Sequence, residues 1–158
     1  AFGFSLDSYS QSGDGSLGFS DLTDTTSEWF MPYIKTFVSR EILFGYPNRT
    51  MRPLRIIGRA ELYRVFVRAA FRGPMVRANF TVSTSVPNPP FSDTPLYDES
   101  EWYLRYARFA KTNSLVSGNL FRPAQGITRG EVIRLIYDTH TKGLVTYNLP
   151  IVQTVASN

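Results

Sequence analysis

The residues best suited to bind an anion form a short motif that occurs twice, with a glutamate two positions after an arginine. Residues 57–61 read Ile-Gly-Arg-Ala-Glu and residues 127–131 read Ile-Thr-Arg-Gly-Glu. A guanidinium holds a carboxylate through two parallel hydrogen bonds. Arg59 and Arg129 fall in the first turn of a predicted helix, where a cation gains nothing from the helix dipole. Each arginine is therefore expected to bind a carboxylate, either from Asp21 or Asp93 of this chain or from a ligand.

The glutamates of the same motif have a structural explanation. A threonine followed three residues later by a glutamate forms a capping box, in which each side chain accepts a hydrogen bond from the other's backbone N–H. Thr128 and Glu131 fit this pattern. Glu61 has the same position in the first copy, where Gly58 replaces the threonine and caps the helix less well.

Both motifs belong to an internal repeat. Trp29 precedes Gly45 by 16 residues and Trp102 precedes Gly118 by 16 residues, while six residues separate the proline from the arginine in each copy. A Phe-Ser-Asp triplet opens both copies, at residues 19–21 and 91–93. Landmarks at matching spacing indicate that each copy is one supersecondary unit.

The apolar spacing within each copy predicts two helices joined by a loop. We therefore predict a mainly α fold, with both units in one compact helical domain. Strand-like alternation in the linker and near both chain ends predicts short β-strands there. The predicted divisions are an N-terminal extension (1–18), repeat 1 (19–77), a Pro-rich linker (78–90), repeat 2 (91–143) and a C-terminal extension (144–158).

The charges follow the repeat. Residues 1–30 carry five acidic and no basic residues, and residues 31–78 carry ten basic and two acidic ones. Residues 91–101 and 102–143 show the same order. Acidic residues favour helix N-termini, and an acidic end of one unit could equally meet the basic end of another. The basic residues total 17, mostly arginine, which favours an acidic glycan or acidic protein surface as partner.

Composition argues against several classes of function. The chain has no cysteine and one histidine, His140, so thiolate sites and histidine pairs are absent from the sequence. It has no Gly-rich phosphate loop and no hydrolase serine elbow. We therefore expect no enzyme activity, no cofactor and no metal site. We also expect no nucleic-acid partner, because no known binding motif accompanies the arginines, and no membrane span, because no apolar run approaches the required length.

The order Phe-x-Asp, Trp, Gly, Phe-x-Pro and Ile-Thr-Arg-x-Glu resembles the S-layer homology repeat of bacterial cell-surface proteins, over about 19–72 and 91–142. Repeat 1 departs from it at Met51 and Gly58. The resemblance implies an exported, non-enzymatic module, usually of three repeats, whose inter-repeat grooves bind acidic, often pyruvylated, cell-wall polysaccharide. It implies a site for this glycan, or an inter-subunit groove, at Asp21, Trp29, Gly45, Arg59, Asp93, Trp102, Gly118 and Arg129. The two tryptophans have an alternative place in the helical core.

Two functions remain open from the sequence. The first, narrowly favoured, is a self-assembling subunit of a cell-surface filament or lattice, whose partners are copies of itself. Its strand-like ends would join subunits by β-augmentation through Phe2, Phe4, Leu6, Val145, Tyr147, Ile151 and Val152. The second is a cell-wall anchoring module for acidic glycan. The start at Ala1 predicts an extracellular or cell-surface protein with a cleaved signal peptide, although an engineered start would look the same.

Overall fold

A computed structural model describes residues 17–22, 28–70, 88–96 and 101–145. In these ranges the chain forms four helices and confirms the predicted mainly α fold. The helices are α1 (Met31–Ser39), α2 (Arg59–Ala70), α3 (Leu104–Thr112) and α4 (Arg129–Thr141). No helix in this part of the chain is long and apolar enough to cross a bilayer. The predicted terminal and linker strands fall almost wholly outside the described residues.

The two repeats share backbone details beyond their helices. The residue after each C-cap, Glu41 behind α1 and Ser114 behind α3, has a positive φ, of 56° and 50°. The next amide then turns back to the helix: Ile42 N–H donates to Phe37 at 2.9 Å, and the corresponding Leu115 N–H donates at 2.8 Å. This is a left-handed helix stop, and its recurrence shows that both units follow one backbone path.

An aspartate clamps the loop between the helices of repeat 2. The two carboxylate oxygens of Asp93 accept the backbone N–H groups of Phe121 at 2.7 Å and Arg122 at 2.6 Å. Arg122 has a φ of 56°, which non-glycine residues rarely adopt. The carboxylate therefore holds a backbone turn that the loop would not favour by itself.

Asp21 performs the same task in repeat 1. It accepts the N–H groups of Met51 at 2.8 Å and Arg52 at 2.7 Å, and Arg52 has a φ of 53°. Partial desolvation raises the pKa of Asp21, but the two backbone hydrogen bonds outweigh it and hold the pKa below its ordinary value. Both predicted site aspartates are thus loop clamps.

The main core lies between the repeats. Ala60, Tyr63, Phe66 and Val67 of α2 are buried in one cluster with residues of repeat 2, and α2 packs against α3. The repeat 2 members are Phe91, Tyr106, Ala107, Ala110, Leu115, Phe121 and Leu135. Repeat 1 has a smaller cluster of its own, formed by Leu22, Phe30, Met31, Ile34 and Met51. The second helix of repeat 1 therefore completes the core of repeat 2.

The apolar residues of α4 are only partly buried. Leu135 is buried and Val132 is half-buried, but Ile136 is 39% exposed. Ile133 and Tyr137 of the same helix are 67% and 66% exposed. The helix thus has apolar residues on two sides, and one of these sides faces solvent.

The clamp predicts a stability effect. Asp93→Ala should lower the free energy of unfolding by about 2 kcal/mol, because it leaves two backbone N–H groups without their acceptor. Urea denaturation followed by circular dichroism measures the effect. Glu101→Ala, at an exposed position, is the control and should change stability by less than about 0.5 kcal/mol. Equal stability of the two variants would show that the clamp contributes nothing.

Candidate binding grooves of the two repeats

A groove of about 340 Å³ lies where α2 of repeat 1 meets repeat 2. We call it the second groove. It is lined by α2, by the start of α4 and by the α3–α4 loop. Its charged and aromatic lining residues are Arg59, Tyr63, Arg122, Glu131 and Arg134, beside Gly118.

An ion pair between the repeats forms part of the lining of the second groove. Arg59, the arginine of the first motif, donates to Oε1 of Glu131, the glutamate of the second. The other oxygen, Oε2, accepts from the backbone N–H of Thr128 at 2.9 Å and completes the predicted capping box. The expectation that Arg59 pairs with a carboxylate is confirmed, whereas Asp21 and Asp93 as its partner are wrong, since backbone amides occupy both.

Backbone contacts fix the same junction. Arg59 N–H donates to the carbonyl of Gln125 at 2.9 Å, and Ala60 N–H donates to that of Pro123 at 3.0 Å. Gly58 and Gly126 form an isolated antiparallel bridge beside them. The first turn of α2 therefore has part of its amide donors satisfied by the opposite repeat.

The second groove carries a positive charge surplus. Three of its lining residues are arginines and one is a glutamate. Arg59 is 7% exposed, and its Nε has no hydrogen-bond partner among the described residues. Arg134 forms an exposed ion pair with Asp138 at 3.3 Å through Nε alone. An anion in this groove would find guanidinium donors on two sides.

Electrostatics keep Glu131 charged. The hydrogen bond from the Thr128 backbone, followed by those from the Arg59 and Thr128 side chains, lowers the pKa of Glu131 to about 2.

Tyr63, further along α2, has its pKa raised to about 12, chiefly by burial. Its ring packs edge-on against Phe121 with centroids 5.5 Å apart, and its hydroxyl donates to the Leu115 carbonyl at 3.3 Å.

Repeat 1 has an equivalent cavity of about 810 Å³, which we call the first groove. It is lined by α1, the α1–α2 loop and the start of α2. Here Oε1 of Glu61 accepts from Tyr46 at 2.6 Å and from Arg55 at 2.6 Å, and Oε2 accepts the Gly58 N–H at 2.9 Å. Burial raises the pKa of Glu61, but these hydrogen bonds together hold it below its ordinary value.

Both predicted tryptophans lie on the surface at the first groove. Trp29 is 74% exposed and Trp102 is 42% exposed, so their alternative place in the core is wrong. The guanidinium of Arg64 lies 5.5 Å from the Trp102 ring centroid, within range of a cation–π contact. Exposed apolar ring faces of this kind can pack on a sugar or on another protein.

The two predicted glycines are required for different reasons. A Cβ at Gly45 would lie 2.2 Å from a ring carbon of Phe19 and 2.8 Å from the Thr50 carbonyl oxygen. Gly118 has open space around it but a φ of 80°, where a side chain is strained. Gly45 borders the first groove and Gly118 the second.

The structure separates the two predicted arginines. Arg59 is buried at the second groove, whereas Arg129 is exposed at the start of α4 and forms no ion pair with a described residue. Sequence reasoning missed Arg122 and Arg134 as lining residues. The sequence signal for them is that the repeat has an arginine at both positions in each copy, since Arg52 and Arg64 are the equivalents in repeat 1.

Of the predicted assembly termini, only Val145, which is half-buried, lies within the described residues.

Comparison with known families identifies the repeat. The S-layer homology domain profile matches residues 18–62 and 90–133, which together make up more than half of the chain. The chain therefore belongs to the S-layer homology domain family, as its motifs indicated.

One relative is a cellulosome-anchoring protein of Acetivibrio thermocellus. It is 39% identical over 54 residues, which cover 34% of this chain and 12% of that protein. The chain thus matches a small part of a much longer relative. No solved structure matches the chain.

The Glu131 contact predicts a pH dependence. A carboxylate whose pKa is lowered by folding stabilises the protein above its unfolded pKa, about 4.3, and loses that contribution as pH falls towards about 2. Glu131→Gln should therefore be less stable than the wild type at pH 7, and the gap should shrink between about pH 4.3 and pH 2. Urea midpoints across this range measure it.

Glu101→Gln serves as control for the loss of an exposed carboxylate. Asp21 and Glu61 also titrate with lowered pKa values, but they are present in both proteins and cancel in the difference. A wild-type-to-Glu131→Gln gap that stays constant from pH 7 to pH 2 would contradict the assignment.

Proposed function

We propose that this chain is a non-catalytic cell-surface module that binds acidic cell-wall polysaccharide in the second groove. The observation that carries the proposal is the surplus of guanidinium groups around one cavity at the junction of the repeats. Arg59, held by Glu131, adds a third guanidinium to the lining.

The chemistry of the groove favours a carboxylated sugar. Arg122 and Arg134 are exposed and lie on different walls, so they can approach one carboxylate from two directions. Arg59, on α2, is held in place by Glu131. The carboxylate of a uronic acid or of a pyruvate ketal offers the planar acceptor that guanidinium groups bind best.

The family and the relative support a surface role. The chain consists largely of S-layer homology repeats, and the matched relative is named for anchoring the cellulosome. The match covers only 12% of that protein. We therefore infer attachment to the cell surface for this chain and none of that protein's other properties.

The predicted export, and self-assembly through the chain ends, stay predictions. Nearly all of the terminal residues proposed to join subunits lie outside the described residues. Their test is the deletion of residues 1–10 or 144–158, which should abolish any polymer and leave the helices folded.

The glycan site predicts a charge-dependent binding loss. The double variant Arg122→Gln, Arg134→Gln should bind polygalacturonate at least about tenfold more weakly than the wild type, because each charge-assisted hydrogen bond contributes about 1.5–3 kcal/mol. Isothermal titration calorimetry measures the affinity. Arg105→Gln, an exposed arginine of α3 that lines neither groove, is the matched control.

Dextran tests whether the acidic group is recognised, since it offers hydroxyls without carboxylates. We expect no measurable binding of dextran by any variant. Unchanged polygalacturonate binding by the double variant, or an equal loss in Arg105→Gln, would place the interaction elsewhere on a basic surface.

A further inference from the structure

We propose that α4 of one copy docks into the first groove of a second copy, so that the chain associates head to tail. The interface would repeat the contact that α2 already makes with repeat 2 inside each molecule. The proposal rests on the two apolar surfaces and is independent of glycan binding.

The first argument is a difference in exposure between equivalent helix positions. Arg59, Tyr63, Phe66 and Val67 of α2 correspond to Arg129, Ile133, Ile136 and Tyr137 of α4, each 70 residues later. The three α2 apolar residues are 2%, 5% and 0% exposed, and the α4 residues are 67%, 39% and 66% exposed. Helix α4 therefore has apolar residues at the positions through which α2 packs on repeat 2, and no described segment covers them.

The second argument is a difference in occupancy between equivalent grooves. The walls of the second groove include Leu115, Val116 and Arg122, and the corresponding walls of the first groove are Ile42, Leu43 and Arg52. Arg59 and Tyr63 of α2 enter the second groove, which measures about 340 Å³. No described α2-like helix enters the first groove, which measures about 810 Å³.

The sizes of the facing residues are complementary. Tyr63 and Phe66 share their buried cluster with the small residues Ala107 and Ala110 of α3. The corresponding residues of α1 are the larger Ile34 and Phe37, which line the first groove. Helix α4 presents isoleucines where α2 has Tyr63 and Phe66, so smaller side chains meet the larger wall, and the larger first groove has room for Tyr137 at the position of Val67.

A charged contact is also available. Arg59 binds Oε1 of Glu131 within the molecule, and Arg129 would bind the corresponding Oε1 of Glu61 in the second copy. In one copy that oxygen accepts from the Tyr46 hydroxyl and from Arg55, whose side chain is 44% exposed and can move aside. Repeat 2 has Gln125 at the position of Arg55. Arg55 is thus a local substitute that docking displaces.

The geometry of the contact determines the kind of assembly. Each copy has one helix to donate and one groove to receive it, which makes the interface heterologous. Such an interface yields a ring where the rotation closes and an open filament where it does not. The exposed aromatic rim of the first groove, with Trp29 and Tyr33, would be covered in either case.

Sedimentation velocity of the full chain from about 1 to about 100 µM, the range of weak specific association, tests the proposal. We expect concentration-dependent association of the wild type. Arg55→Gln, which introduces the repeat 2 residue, should lower the concentration for half-association about tenfold, because Arg129 then meets no competing cation at Glu61 and only the Tyr46 hydroxyl shares Oε1. A discrete sedimenting species with an unchanged circular dichroism spectrum distinguishes this gain from aggregation of misfolded protein.

Two further variants interrupt one side each. Ile133→Glu changes the exposed face of α4, and Tyr33→Glu changes the exposed wall of the first groove. Each alone should stay monomeric at about 100 µM, and an equimolar mixture should form dimers, since one variant keeps a working groove and the other a working helix. Leu96→Glu, at an exposed leucine that lines neither groove, should associate as the wild type does.

Three results would overturn the proposal. The first is that the wild type and the Arg55→Gln variant both remain monomeric. The second is that the Ile133→Glu variant associates like the wild type. The third is that the equimolar mixture of Ile133→Glu and Tyr33→Glu fails to dimerise. Polygalacturonate binding by Ile133→Glu is measured alongside and should be normal. A loss of association with intact glycan binding separates this proposal from the proposed function.

Discussion

The junction of the two repeats is centred on one charged contact, between the guanidinium of Arg59 and the carboxylate of Glu131, which reinforces the backbone hydrogen bonds and the shared core. The two residues are 72 positions apart, and the contact lies where the first turn of α2 meets the first turn of α4. Glu131 uses its other oxygen to close the capping box with Thr128. The same carboxylate therefore starts one helix and orients another, so the local and the long-range structure share a single group.

The described part of the chain has one large core and two unequal grooves, and this junction accounts for the difference. The ion pair and the backbone hydrogen bonds beside it hold α2 against repeat 2, where Tyr63 joins the cluster with Phe121, and repeat 1 keeps a smaller cluster of its own. A repeat of this kind cannot bury its apolar surface alone and relies on a neighbour. The second groove is the partly filled junction, and the first groove is the same surface without its helix. Glycan binding and head-to-tail association are thus proposals about two equivalent surfaces in different states of occupation.

The sequence was sufficient for features that depend on local spacing. The helix over residues 59–70, the family and the capping box at Thr128 all follow from short patterns. The partner of Arg59 could not be predicted, because Asp21, Asp93, Glu131 and a ligand carboxylate offer the same chemistry and only the packing of α2 selects among them. The aspartates were taken for site residues because a backbone amide has no signature in sequence. The exposure of Trp29 could not be predicted either, because helical spacing indicates the direction of a side chain but not which other residues cover it.

The most direct test of this account is a double-mutant cycle on the free energy of unfolding, with Arg59→Met and Glu131→Gln. The account predicts a coupling of at least about 1 kcal/mol between the two changes. A parallel cycle with Arg59→Met and Glu61→Gln should be additive within about 0.5 kcal/mol, because residues two apart on a helix do not face each other. Additivity in the first cycle would contradict the central claim and show that the apolar core and the backbone hydrogen bonds set the register of the repeats without the ion pair.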